Sequence, residues 1–197
     1  MREEALYRLF QETGALKRGH FQLSSGLHSA VYFQSALVLQ HPDRAEVLGR
    51  ALAKAVRALE PSVVVGPALG GLIIGWEVAR ELDCRGIFTE RQEGEMTLRR
   101  GFTVEPGERV VVIEDVVTTG KSTRETMDVL RAAGGEVVGV GTIVDRSGGT
   151  VDFGVPLQSL LSLPVETSAP SECRECAQGA PLTKPGSRPG ESLLKAK

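Results

Sequence analysis

The stretch VVVIEDVVTTGKS, residues 110–122, constrains the fold more than any other part of the chain. Its first four residues are apolar without alternation, so they read as a strand covered on both faces. Glu114 and Asp115 stand at the carboxyl end of that strand, followed by hydroxyl residues, a glycine and a helix start. In an open α/β sheet, ligands sit beyond the carboxyl ends of the strands. Thr118, Thr119, Gly120, Lys121 and Ser122 would then wrap a phosphate with backbone N–H groups at a helix N-terminus, with Gly120 permitting close approach. Two adjacent acids before an anion cradle would repel a polyphosphate. They suit neutral hydroxyls, such as those of a ribose, or a Mg²⁺ ion. The GKS triplet does not make a Walker A loop, because the glycine required five residues before Gly120 is Asp115. The simpler reading is a strand–loop–helix junction in which Asp115 or Thr119 only caps the helix.

The remaining pattern agrees with βαβ units. Glu3 to about Thr13 reads as an amphipathic helix with Leu6, Leu9 and Phe10 on one side. HFQL and AVYFQ, around the polar SSGLHS, read as short strands between residues 20 and 34. Pro42 opens a helix whose expected buried face is Val47, Leu48, Ala51, Leu52, Ala55, Val56 and Leu59. SVVV at 62–65 is a second doubly covered strand. GPALGG leads into a helix from about Leu72 to Leu82, and Cys84 to Thr89 is the next strand. ERQEGEM, from residue 90, is polar and without periodicity. After the motif, Lys121 to Ala133 is a helix ended by Gly134 and Gly135; 137–145 and 160–163 are further strands.

Composition narrows the class. A length of 197 residues suits one domain, with a hood near 14–36 and a less regular tail from about 165 to 197. The net charge is -2 with no basic stripe, which argues against a nucleic-acid partner. No apolar run is long enough to span a membrane, and MREEALYRLF lacks a secretory pattern, so a cytoplasmic location is expected. CREC at 173–176 supplies half of a metal site, but His20, His28 and His41 are all far away in sequence. No metal ligands are therefore assigned; inert thiols are favoured over zinc in one chain, a four-thiolate site across a two-fold axis, or a redox pair.

Residues 110–122 resemble the phosphoribosyl-diphosphate (PRPP) signature of the type I phosphoribosyltransferases. HFQLSSGLHSAVYFQ, VVVGPALGG, FTERQEGEMTLRRGF and IVDR, within residues 20–146, resemble the orotate phosphoribosyltransferase family. The resemblance implies an α/β fold with a mostly parallel five-stranded sheet flanked by helices and a small N-terminal hood. It implies conversion of orotate and PRPP to orotidine 5'-monophosphate and diphosphate, with Mg²⁺, in pyrimidine biosynthesis. By the same resemblance Glu114 and Asp115 hold the ribose hydroxyls, Asp115 being catalytic, and residues 118–122 hold the 5'-phosphate. Ala68, Leu69 and Gly70 form the diphosphate loop, with a cis Ala68–Leu69 peptide. Phe33, Thr118 and Arg146 face orotate, Arg146 pairing with its carboxylate. Arg91 is the first cation of a mobile catalytic loop that reaches the neighbouring subunit, which implies a homodimer with loop exchange.

Other readings stay open. Tyr32 and Phe33 also suit core packing, Arg146 a surface pair with Asp145 or Asp152, and residues 90–97 a solvated hairpin. Gln92, Gly70 and Ser24 stand where the family pattern carries lysines; Arg99 and Arg100 are the nearest substitutes. A purine or xanthine phosphoribosyltransferase shares the 110–122 motif, and a non-catalytic PRPP-binding regulator belongs to a different class.

Overall fold

The structure is a computed structural model that describes residues 1–23, 26–164 and 166–185. Ser24, Ser25, Val165 and residues 186–197 lie outside the described residues. The chain divides into two compact units: residues 1–15 with 34–164, and residues 16–33 with 165–197.

The larger unit contains helices α1 (Glu3–Glu12), α2 (Ala36–Leu39), α3 (Pro42–Val56), α4 (Gly70–Leu82) and α5 (Lys121–Ala132). Strands β3 (Val63–Pro67), β4 (Arg85–Gln92), β5 (Glu95–Leu98), β6 (Arg109–Val117), β7 (Glu136–Asp145) and β8 (Leu157–Ser162) form one sheet in the order β5-β4-β3-β6-β7-β8. The five expected strands run parallel, and a sixth, β5, is added antiparallel at one edge. Alternate residues of the apolar runs serve the two faces. Val63, Val65, Val110 and Val112 pack with Met127 and Leu130 of α5. Val64 lies within reach of α4 at Gly75, and Ile113 lies near Gly141 beside Val56 and Leu52 of α3. This two-sided burial is why these strands read as continuous apolar runs.

The expected buried face of α3 is corrected. Val47 is 45% exposed, whereas the buried stripe of α3 is Ala45, Leu48, Gly49, Leu52, Ala53 and Val56. These residues recur at intervals of three and four, and Val47 falls beside that stripe. Gly49 lets α3 close on α4, since a Cβ there would lie 2.4 Å from Cβ of Glu77. Residues 90–97 form a hairpin, one of the readings left open: Glu90 pairs with Thr97, Arg91 with Met96 and Gln92 with Glu95. Glu93 and Gly94 turn the hairpin with φ of 53° and 92°, the backbone of a tight primed turn. A short edge strand with charged residues outward has too little apolar alternation to be read from sequence.

The smaller unit is built on an antiparallel pair, β1 (Leu16–Gln22) and β2 (His28–Phe33), followed in the tail by a 3₁₀ turn at Pro170–Glu172 and the short α6 (Arg174–Ala177). The tail is laced to both strands. Ser168 exchanges backbone hydrogen bonds with His28, and Thr183 bonds to both His20 and Gln22. Cys173 is buried there, so the CREC thiols are not remote from the histidines as the sequence suggested. Among the described residues no helix is long and apolar enough to cross a membrane.

Leu48 is fully buried, so Leu48→Ala is expected to lower unfolding stability by about 2–5 kcal/mol. Val47→Lys should stay within about 0.5 kcal/mol of wild type. Urea titration of the two variants checks the assignment of the α3 face.

Candidate active site

Strand order locates the site before any side chain is considered. The chain steps from β3 to β4 on one side, then returns to β6 and steps to β7 on the other. The reversal leaves a crevice beyond the carboxyl ends of β3 and β6, where ligands of open parallel sheets sit. Glu114 and Asp115 lie near the end of β6.

The acid pair is held under electrostatic load. Asp115 Oδ1 accepts a hydrogen bond from the Val116 N–H at 2.9 Å, and Oδ2 accepts one from the Ser35 hydroxyl. Glu114 Oε2 is buried with no hydrogen-bond partner among the described residues. Burial, with the charge of Asp115 as a smaller cause, pushes the Glu114 carboxyl up to about 9. Burial also raises Asp115, against the opposing effect of the Ser35 and Val116 hydrogen bonds. An ionised pair here requires added donors or a cation. Hard oxygen ligands such as these suit ribose hydroxyls or Mg²⁺.

Two helix N-termini flank the pair. α5 begins at Gly120, whose φ is 72°, and a Cβ there would lie 2.8 Å from the Phe153 ring. Its first turn has no acidic residue and no side-chain cap. Thr118, Thr119 and Lys121 are exposed, Ser122 partly so. Arg124 pins the loop by donating to the carbonyls of Thr119 at 2.7 Å and Asp152 at 3.1 Å. α4 begins at Gly70, after a cis Ala68–Leu69 peptide and with Leu69 81% exposed; it too lacks an acidic first turn or side-chain cap. A Cβ on Gly70 would stand 2.4 Å from Asp115 Oδ1, so the start of α4 abuts the acid pair. Each uncapped N-terminus is a ready anion site.

The other candidates are placed as follows. Arg146 follows β7 directly and is partly buried; its backbone N–H donates to Val117 at 2.8 Å, which sets it level with the end of β6. Asp145 Oδ1 accepts a hydrogen bond from the Ser147 N–H at 2.8 Å. Arg91 sits on the β4–β5 hairpin, donating to the Gly94 carbonyl at 2.7 Å and pairing with Glu125 of α5. Arg99 and Arg100 both pair with Glu90, at 3.6 and 2.9 Å. In the smaller unit Phe33 is buried at the end of β2, and Tyr32 packs against Phe21 with centroids 5.7 Å apart.

Ser35, Thr142 and Glu125 were not legible as site residues. Thr142 donates to the Asp115 carbonyl at 3.2 Å or, alternatively, to that of Val144 at the same distance. No motif marks these positions, because each acquires its partner only when separate segments pack together.

The raised Glu114 carboxyl has a sign that can be checked. The unfolded chain ionises this group in the ordinary glutamate range, while the folded chain holds its proton up to about 9. Ligand-free stability should therefore be full below that ordinary range and fall as pH rises toward about 9. Glu114→Gln should flatten the fall. Thermal midpoints at acidic and mildly alkaline pH decide it; equal slopes in the two proteins would remove the assigned proton.

Comparison with known proteins agrees with this geometry. Residues 35–153 match the phosphoribosyl transferase domain family. The chain is 57% identical over 185 residues to an orotate phosphoribosyltransferase of Carboxydothermus hydrogenoformans, covering 93% of this chain and 97% of the relative. It is 52% identical to one from Thermotoga maritima, covering 91% and 96%. Among solved structures, orotate phosphoribosyltransferase from Aeropyrum pernix superposes with a TM-score of 0.68 at 30% identity, covering 80% of this chain and 93% of that one. With its acid pair between two open helix N-termini and this degree of likeness along nearly its whole length, the chain belongs to the orotate phosphoribosyltransferase family of type I phosphoribosyltransferases.

Proposed function

We infer that this chain transfers the phosphoribosyl group of PRPP to orotate, giving orotidine 5'-monophosphate and diphosphate in pyrimidine biosynthesis. The observation that carries the reading is the half-buried Glu114–Asp115 pair, with Glu114 Oε2 buried and without a partner among the described residues, between the open starts of α4 and α5. One pair of acids and two separate anion cradles match a sugar bearing a phosphate at one end and a diphosphate at the other.

In this reading the 2' and 3' hydroxyls donate to Glu114 and Asp115, supplying the donors that Glu114 Oε2 lacks. Hydroxyl donors favour the ionised carboxylates, and that negative charge lies near C1' as it becomes cation-like. Thr118, Thr119, Gly120, Lys121 and Ser122 hold the 5'-phosphate; Ala68, Leu69 and Gly70 offer the start of α4 to the diphosphate. Orotate gives up its acidic N1 proton to solvent, N1 forms the new bond to C1', and the C1'–O bond breaks with its electron pair leaving on the diphosphate. Arg146 fits the orotate carboxylate as a two-pronged donor, with Thr118 beside the base. Mg²⁺ bound with PRPP would neutralise charge on the diphosphate, and Glu114 and Asp115 would offer it hard oxygen donors. Arg91 delivers a cation to the leaving group of a neighbouring subunit in a homodimer, once released from Glu125.

The test is turnover with PRPP and Mg²⁺ against orotate, uracil, adenine, hypoxanthine, guanine and xanthine. Consumption of orotate alone is expected. Turnover of a purine instead would overturn the base assignment, and PRPP binding without any turnover would favour a regulator. Gly70→Ala should reduce orotate turnover by about 10–100-fold, because its Cβ displaces the Asp115 carboxylate. Arg91→Ala should lower kcat far more than PRPP affinity. Mixing it with an Asp115→Asn subunit should restore part of the activity; no restoration would remove the exchanged loop.

A further inference from the structure

We propose that the smaller unit binds a structural zinc ion through His20, His28, Cys173 and Cys176. The four candidate ligand atoms all lie within 4.8 Å of one another. His20 Nε2 is 3.4 Å from Cys173 Sγ and 3.6 Å from Cys176 Sγ; His28 Nδ1 is 3.3 Å from Cys176 Sγ. Tetrahedral zinc, with bonds of about 2.0–2.1 Å to nitrogen and 2.3 Å to sulfur, spaces its ligand atoms by roughly 3.3–3.8 Å. The two ring nitrogens, 2.9 Å apart, need to separate by only a few tenths of an ångström.

The surroundings are those of a metal site. His20 Nδ1 donates to the Ala180 carbonyl at 3.0 Å. That bond fixes the tautomer and turns the Nε2 lone pair inward, the role an outer carbonyl plays for zinc histidines. Two thiolates and two neutral imidazoles balance a dication. Glu175 Oε2, which accepts from the Cys173 thiol at 3.2 Å, gives up that bond when the thiol ionises. His20, His28 and Cys173 are buried. Four protein ligands leave no open position, so the ion is structural rather than catalytic.

The backbone presents the ligands before any ion arrives. His20 lies on β1, His28 opens β2, and the cysteines bracket the start of α6. Hydrogen bonds from Ser168 and Thr183 hold the tail against both strands. The unit also has reason to need a cross-link. Its buried apolar side chains among the described residues are Leu16, Phe21, Phe33 and Cys173, a small core for a segment of this size. A metal tying the strand pair to the tail replaces the missing apolar burial.

The experiment uses the full chain purified under reducing conditions without chelator. Elemental analysis should find one zinc per chain, released on thiol modification by an organomercurial. Co²⁺ exchanged into the site should give the visible bands of a tetrahedral thiolate complex. Cys176→Ser and His28→Ala should each weaken or abolish uptake, whereas Cys84→Ser should retain the metal in full. Chelation of the wild type should lower its thermal midpoint. Failure of the reduced wild type to take up stoichiometric Zn²⁺ or Co²⁺ overturns the proposal. So does metal kept undiminished by both ligand variants, or a Cys173–Cys176 disulfide that persists under those reducing conditions. Because the wild type is itself titrated, a variant that fails to fold does not shield the idea. None of these readouts depends on turnover of orotate, so the outcome is separable from the activity.

Discussion

The approach of α4 to the end of β6 is the constraint on which the rest of the site depends. Gly70 stands so close to Asp115 that no side chain fits between helix start and carboxylate. Such contact brings a positive helix terminus beside a half-buried acid pair whose charge has few other supports. The glycines on either side of Gly70 serve the same closeness: a Cβ on Gly66 would lie 2.4 Å from the Gly71 carbonyl, and one on Gly71 would lie 2.7 Å from that of Ile113. The sheet order then sets β3 beside β6, so the loop before α4 and the loop before α5 open on the same crevice.

Charge in this site is arranged by shortage. Glu114 Oε2 is buried without a donor, and burial holds both carboxyls above their ordinary range. Groups left in that state gain most from a ligand that brings hydroxyls or a cation. The cations of the β4–β5 region are, by contrast, committed to acids of the same chain: Arg91 to Glu125, and Arg99 and Arg100 to Glu90. The acidic composition of residues 90–95 thus has a structural counterpart. Each cation can serve a diphosphate only by exchanging one anion for another.

The smaller unit solves a different problem. It has little apolar surface to bury, and its order comes from backbone bonds between the strand pair and the tail and from a knot of histidines and thiols. Neither half of that knot is informative alone. CREC without histidines reads as two thiols, and two histidines on a hairpin read as ordinary strand residues.

The sequence by itself determined the α/β class, the strand–acid–loop–helix unit at 110–122 and the doubly covered strands, because these follow from local hydrophobic period and from short-range turn chemistry. The βαβ order and the position of Glu114 and Asp115 at a strand end were legible for the same reason. Val47 was misread because a stripe of small and apolar residues has an edge that period alone leaves undefined. The hairpin at 90–97 was legible only as one of two readings, because its order lies in cross-strand pairing that local period does not encode. Tertiary structure alone decided that Ser35 meets Asp115, that Arg91 meets Glu125, and that His20 and His28 meet Cys173 and Cys176. Each of these contacts joins segments far apart in the chain, and no local preference encodes the approach; it exists only once the separate apolar faces and backbone ladders have packed.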